Sequence, residues 1–277
     1  LNIFPSLHDK IEFELMPTCF SFSIKEKLKK LNINSNTDLK FLENNYIKIF
    51  SNNLNPKSLG SINYNLNKIE ILKFKQSKKE YKLDTNLTNI NKILIETRNY
   101  GIIPFSILAR HGFVAKDILI SLEKLNVLSK KDIDNFMRSF STITTEFLND
   151  QTRLNKKILS YNKFIKKYGH LRAGTYDLKS RNYKQLGKKV LLNQSPKKII
   201  HPTLFKLTNI KRNKIRKLLD QKKIDLNVNE LFLYIENSIK AREYSKFVFT
   251  KSVNIILEKI KNFSKIKKIE LHDMEHL

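Results

Sequence analysis

Two glycines and a histidine fall within one short run, Tyr168-Gly169-His170-Leu171-Arg172-Ala173-Gly174-Thr175-Tyr176-Asp177, in a chain that has only six of each residue type. Glycine lets a backbone turn tightly or approach a ligand closely. His170, with an ordinary pKa near 6.5, can take or give a proton at neutral pH. Arg172 offers a planar fork suited to phosphate or carboxylate. Asp177 can orient a ring nitrogen, bind a metal through water, or pair with Arg172. A structural loop accounts for the same residues if Asp177 and Thr175 satisfy backbone groups and His170 is simply packed.

A second set is Arg242, Glu243 and Lys246. Leu231, Ile235, Ile239, Phe249, Val253, Ile256 and Ile260 trace an apolar stripe at helical spacing, and Arg242 and Lys246 fall on it. Two cations on a buried face are costly unless they are paired or face a polar cavity. They either line a site or pair with carboxylates such as Glu14. Together with the glycine loop they predict one shared polar cavity holding His170, Arg172, Asp177, Arg242 and Lys246.

A third set, Arg98, Arg110 and His111, surrounds Tyr100-Gly101-Ile102-Ile103-Pro104-Phe105. Its plainer reading is a helix-turn-helix joint made by Gly101 and Pro104, with the arginines solvated or bracing it. Cys19, the single cysteine, excludes an internal disulfide and a CxxC metal site and reads as core. The sequence contains no Walker A, GxGxxG, HExxH or GxSxG pattern. No metal ligand set is proposed for this segment.

The elements that must position these residues are mostly helical. Residues 11–15 alternate apolar and acidic and predict a short extended segment. Helices are expected at 36–54, 57–75, from about 84 to before Gly101, and onward with Pro104 in a first turn. Ser129-Lys130-Lys131-Asp132 has the form of a capping box. A further helix is expected at 156–167. From Thr175 to about Leu204 the periodicity weakens, which predicts an irregular, loop-rich connector. Helices resume near Asn209, and a single helix of about ten turns is expected from Asn227 to about Phe263. The fold class is therefore mostly α. The segment reads as one helical domain over 1–277, divisible at 1–167, 168–206 and 207–277.

The chain has 277 residues, 40% of them hydrophobic, and a formal charge of +27. It is long enough to bury a core. No apolar run approaches the roughly 18 residues needed to span a bilayer. The charge invites a polyanion partner. However, Lys, Asn and Ile are abundant together throughout, as an AT-rich coding sequence would produce. The lysines are dispersed, and no aromatic-interleaved binding motif appears. Nucleic acid is therefore the less favoured partner. The chain starts at Leu1 and reads as a piece of a longer polypeptide.

Several segments together resemble one family. The run 168–177 is similar to the YGHLRPGTYD-type loop of phosphoenolpyruvate synthase-like phosphotransferases. Tyr100-Gly101-Ile102-Ile103-Pro104-Phe105 followed by Ala109-Arg110 resembles that family's YGTxPFAxxAR segment. Ala241-Arg242-Glu243-Tyr244-Ser245-Lys246-Phe247-Val248-Phe249-Thr250 resembles its REYAKFVFT helix, and Phe13-Glu14 with Thr18-Cys19 its FExxxTC start. The matches run in order over almost the whole chain. Ala173 stands where the family usually has proline, and Ser106 where alanine is common.

The resemblance implies kinship with pyruvate phosphate dikinase and rifampicin phosphotransferase. This chain would correspond to the helical centre, which in the latter binds the phosphoryl acceptor. The implied partners are an ATP-grasp domain and a mobile phosphohistidine domain of the same polypeptide. ATP and magnesium would act there, with no cofactor in this segment. The acceptor is an unknown small molecule, the location cytoplasmic, and no membrane is involved. By this reading His170 is a base, Asp177 its orienter, and Arg172, Tyr176, Arg242, Glu243, Lys246 and Arg110 surround the phosphate and acceptor. A non-catalytic scaffold between mobile domains is the competing reading.

Overall fold

The computed structural model describes residues 19–30, 35–78, 81, 87–192 and 199–275. The extended segment expected at 11–15, including Phe13 and Glu14, and also Thr18, lie outside the described residues. So does the 193–198 part of the connector. Eleven α-helices and no strand occur among the described residues. They are α1 (Ile24–Lys29), α2 (Asn36–Leu54), α3 (Ile62–Lys75), α4 (Leu87–Thr97), α5 (Ile103–Lys124), α6 (Lys130–Met137), α7 (Ile143–Asn155), α8 (Tyr161–Tyr168), α9 (Tyr183–Leu192), α10 (Asn209–Gln221) and α11 (Val228–Lys267). With 40 residues, α11 extends about 60 Å.

Local chemistry sets many of the boundaries. Ser35, Ser129, Thr142, Ser160 and Thr208 each accept a first-turn N–H through the side chain. Ser129 and Asp132 form the expected reciprocal capping box. The helix expected at 156–167 starts instead at Tyr161. Lys157 takes φ 60° and α7 closes with Ile158 N–H donating to Arg153 O, so 156–159 become a turn. No glycine marks that turn in the sequence. The connector is irregular to 182 and then contains α9, which Gly187 interrupts at φ 78°.

The joint at 98–105 is not a helix-turn-helix. A π-turn, Arg98–Ile102, carries α4 into α5. Pro104 has no N–H to give the Tyr100 carbonyl, and Ile103 N–H reaches back to Arg98 O, which inserts the extra residue.

The chain forms two compact units, interleaved along the sequence. The first comprises Leu1–Tyr64, Ala109–Phe140 and Thr203–Ile239. Its core gathers Phe20, Phe50, Ile118, Leu122, Phe136, Leu231 and Ile235. Phe20 stacks on Phe50 at 4.9 Å, and Phe136 meets Phe232 edge-on at 4.9 Å. Glu43 is buried there between Lys222 and Lys25; burial alone would raise its carboxyl, but the two ammonium groups hold it below its usual value.

The second unit comprises Asn65–Leu108, Ser141–Pro202 and Lys240–Leu277. One core cluster joins Tyr81, Ile90, Ile93 and Ile256; another joins Leu154, Phe164, Tyr168 and Leu191, with Phe147 and Phe247 packed against it. The Gln76 side chain donates to Val248 O and Ser252 Oγ, both at 2.8 Å, which ties the end of α3 to α11. Every structural feature of the glycine loop lies in this unit.

Candidate functional site

The loop after α8 is a closed structure held against the last turns of α11. Arg172 and Asn182 form an isolated antiparallel bridge, and Tyr183 N–H donates to Leu171 O at 2.8 Å. Gly174 lies inside a tight turn: a Cβ there would come 2.8 Å from Asp177 Cβ. Asp177 N–H closes that turn onto Gly174 O.

Arg172 is the centre of the loop, with its side chain 2% exposed. Its guanidinium donates to Asp177 O and Ser180 O, each at 3.2 Å, and to Asn254 Oδ1 and Glu258 Oε1 at 2.5 and 3.0 Å. Asn182 also donates to Asn254, and Gln185 to Glu258. Only the buried Nε–H lacks a partner. The fork expected to hold a phosphate is thus committed to carboxylate and carbonyls.

His170 Nε2 lies 3.2 Å from Phe247 O, and the imidazole meets the Phe247 ring edge-on at 4.8 Å. A carbonyl only accepts, so Nε2 carries the proton and Nδ1 keeps its lone pair. Burial pushes the imidazole down to about 4; the bond to Phe247 O opposes this, and the nearby Lys251 ammonium adds to it. At neutral pH the ring is uncharged.

Asp177 is not the orienter of His170. Its Oδ1 accepts Lys179 N–H at 2.8 Å in a local turn, and no hydrogen bond joins it to His170. The Phe247 carbonyl has the orienting place.

A cavity of about 240 Å³ lies between α7, the loop and α11, with His170, Arg172, Glu243 and Lys246 among its lining. Ile143, Phe147, Leu171 and Phe247 give it apolar walls, and Thr144, Thr175 and Thr250 add hydroxyls. Glu243 Oε2 accepts Thr144 N–H at 3.0 Å, so it also satisfies the first turn of α7. Lys246 is exposed and has no hydrogen-bond or ion-pair partner among the described residues.

The expected convergence is therefore partial. His170, Arg172, Glu243 and Lys246 share the cavity; Asp177, Tyr176, Arg242 and Arg110 do not line it. Tyr176 is 66% exposed. Arg242 and Arg110 are exposed, and Arg110 belongs to the first unit. Arg242 and Lys246 were expected on the buried stripe of α11, but that seam runs through Ser238, Ala241, Ser245 and Ser252. Small residues there let neighbours approach closely and leave the two cations to one side.

His111 is a buried core histidine. Its Nε2 donates to Gly60 O at 2.7 Å, and its Nδ1 accepts from Tyr234 OH at 2.9 Å; burial keeps it below its usual pKa. Cys19 is buried and its Sγ lies 3.1 Å from Asp117 Oδ2, which also pairs with Lys27.

Sequence reasoning missed Asn254, Glu258 and Lys251. Asn254 and Glu258 lie one turn apart on α11, a polar pair beside an apolar stripe, and that spacing was the available signal. Lys259, one residue further, is completely buried.

Among the described residues no group of three or more His, Cys, Asp or Glu side chains could hold a metal ion, and no helix is long and apolar enough to cross a membrane. Comparison with known proteins gives no match to a family model, a curated protein or a solved structure.

Proposed function

We propose that this chain is the acceptor-binding domain of an ATP-dependent phosphotransferase of the phosphoenolpyruvate synthase-like kind, acting in the cytoplasm. The observation that supports this reading is the 240 Å³ cavity. It forms where two separate segments carrying the resemblance, the glycine loop and the Arg242-Glu243-Tyr244 helix, come together.

Phosphoryl transfer depends on in-line positioning and charge neutralisation. The Lys246 ammonium supplies the neutralising charge. The apolar walls hold the body of a small acceptor, and the threonine hydroxyls orient its polar groups. The N–P bond of a phosphohistidine carried by a mobile domain breaks as the acceptor hydroxyl forms its O–P bond. The hydroxyl proton passes to Nδ1 of neutral His170. The incoming phosphoryl charge raises the imidazole's proton affinity at that moment. ATP and magnesium belong to the partner domains in this scheme.

A scaffold without chemistry is the second reading, and the observation favouring it is the fully committed fork of Arg172. The two are separated in the full polypeptide with radiolabelled ATP and a small-metabolite extract. Under the acceptor reading, Lys246→Ala and His170→Ala leave label on the protein but slow its transfer to the small-molecule fraction. Loss of a general base costs about 10²–10⁴-fold. Loss of protein labelling in a folded variant assigns the cavity to the ATP half-reaction instead. Unchanged labelling of both fractions leaves the scaffold.

A further inference from the structure

The second unit holds a larger cavity of about 640 Å³ at the far end of α11. Among the described residues Lys179, Arg181, Lys261, Lys265 and Lys268 line it, against one carboxylate, Glu270. We propose that this cavity binds a small anion carrying two or more linked phosphate groups.

Three observations carry the proposal. The cations come from two segments far apart in sequence. Lys261 and Lys265, four residues apart, share one face of α11, and Lys268 follows just past its end at φ 55°. Lys179 and Arg181 arrive from the glycine loop, whose bridge at Arg172 and Asn182 sets their place. The helix macrodipole favours lysines in a last turn, but it does not account for cations brought there by a different segment.

Part of the positive charge is also unspent. Lys261 lies 3.6 Å from Glu258 and 3.5 Å from Ser180 O, so it is partly engaged. Arg181, Lys265 and Lys268 have no side-chain partner among the described residues. Five cations against Glu270 and the partly shared Glu258 leave a net positive charge that repels itself, and an anion relieves that repulsion.

The shape sets the ligand class. A concave volume of this size falls in the range of about 300–1,000 Å³ typical of small-molecule sites. Among the described residues no aromatic ring lines it, and aromatic rings are the stacking platform that single-stranded nucleic acid uses. A chain of phosphates presents several charges at short spacing to several cations, and Arg181 can meet it with a fork.

The test is calorimetric titration of the protein with tripolyphosphate, pyrophosphate and magnesium-free ATP at moderate salt. The expected result is saturable binding, stronger for tripolyphosphate than for pyrophosphate. The double variant Lys265→Glu, Lys268→Glu should weaken it at least tenfold while circular dichroism stays unchanged. Lys40→Glu, an exposed lysine of α2 outside both cavities, should leave it intact. Equal affinity for ATP and tripolyphosphate identifies the phosphate chain alone as the ligand; much tighter ATP binding identifies a nucleotide tail. Absence of binding at millimolar tripolyphosphate, or equal binding by the double variant, overturns the proposal. So does random-sequence duplex RNA that outcompetes tripolyphosphate through the same two lysines.

Discussion

His170 has its character from burial rather than from a partner carboxylate. Its imidazole is held down to about 4, against 6.5 for the free side chain. A depressed histidine contributes stability that is present above the unfolded pKa and lost as pH falls through the folded one. The protein should therefore lose stability between about pH 6.5 and pH 4, with no further loss from this group below that. The shift corresponds to about 3 kcal/mol. Unfolding by urea across this window should show the decline, and His170→Gln should flatten it. An NMR titration placing the His170 midpoint near 6.5 would contradict the buried geometry. At this scale the sequence was a partial guide. Residue types that can do chemistry are visible as letters, but the carbonyl of Phe247 that orients His170 is backbone and leaves no letter. The same holds for Arg172, whose type suggested a phosphate while its burial committed it to Glu258 and Asn254.

The π-turn before α5 shows how an element boundary serves packing. It places Gly101 where a Cβ would come 2.8 Å from Leu72 Cδ2 and 2.9 Å from Phe249 Cβ. Leucine tips can move, but the Phe249 Cβ is fixed to the α11 backbone. Gly101→Ala should thus destabilise the second unit by about 1–3 kcal/mol, the usual cost of overpacking, although alanine is the better helix former. Chemical denaturation measures it, and a gain in stability would show that α11 can yield. Helix positions were legible in the sequence wherever a capping hydroxyl or an apolar period marked them, as at the Ser129 capping box and along 36–54. The turn at 156–159 was not, because a lysine took the left-handed position that glycine usually signals. The buried face of α11 was misread for a related reason. Its middle is built from serine and alanine, which carry too little hydrophobicity to mark a stripe, so the larger residues beside them seemed to continue through Arg242 and Lys246.

For the whole molecule the dominant quantity is the charge of +27. Much of it lies on exposed lysines spread over many helices, including α2, α10 and α11. Dispersed charge attracts any polyanion through counterion release and selects none by sequence. Duplex DNA should accordingly bind with a Kd on the order of 10⁻⁴–10⁻⁶ M at physiological salt, whatever its sequence. Affinity should fall steeply as salt rises, with a slope reporting the number of phosphates neutralised. Fluorescence anisotropy on two unrelated duplexes across a salt series measures both properties. The basic cavity at the end of α11 adds a constraint. Reversing the charge of Lys265 and Lys268 removes only a small part of the surface field, so DNA affinity should drop by no more than the salt slope assigns to those few contacts, while tripolyphosphate affinity collapses. Tight binding to one duplex and not the other would instead make nucleic-acid recognition the work of this surface, and the charge could then no longer be ascribed to coding composition.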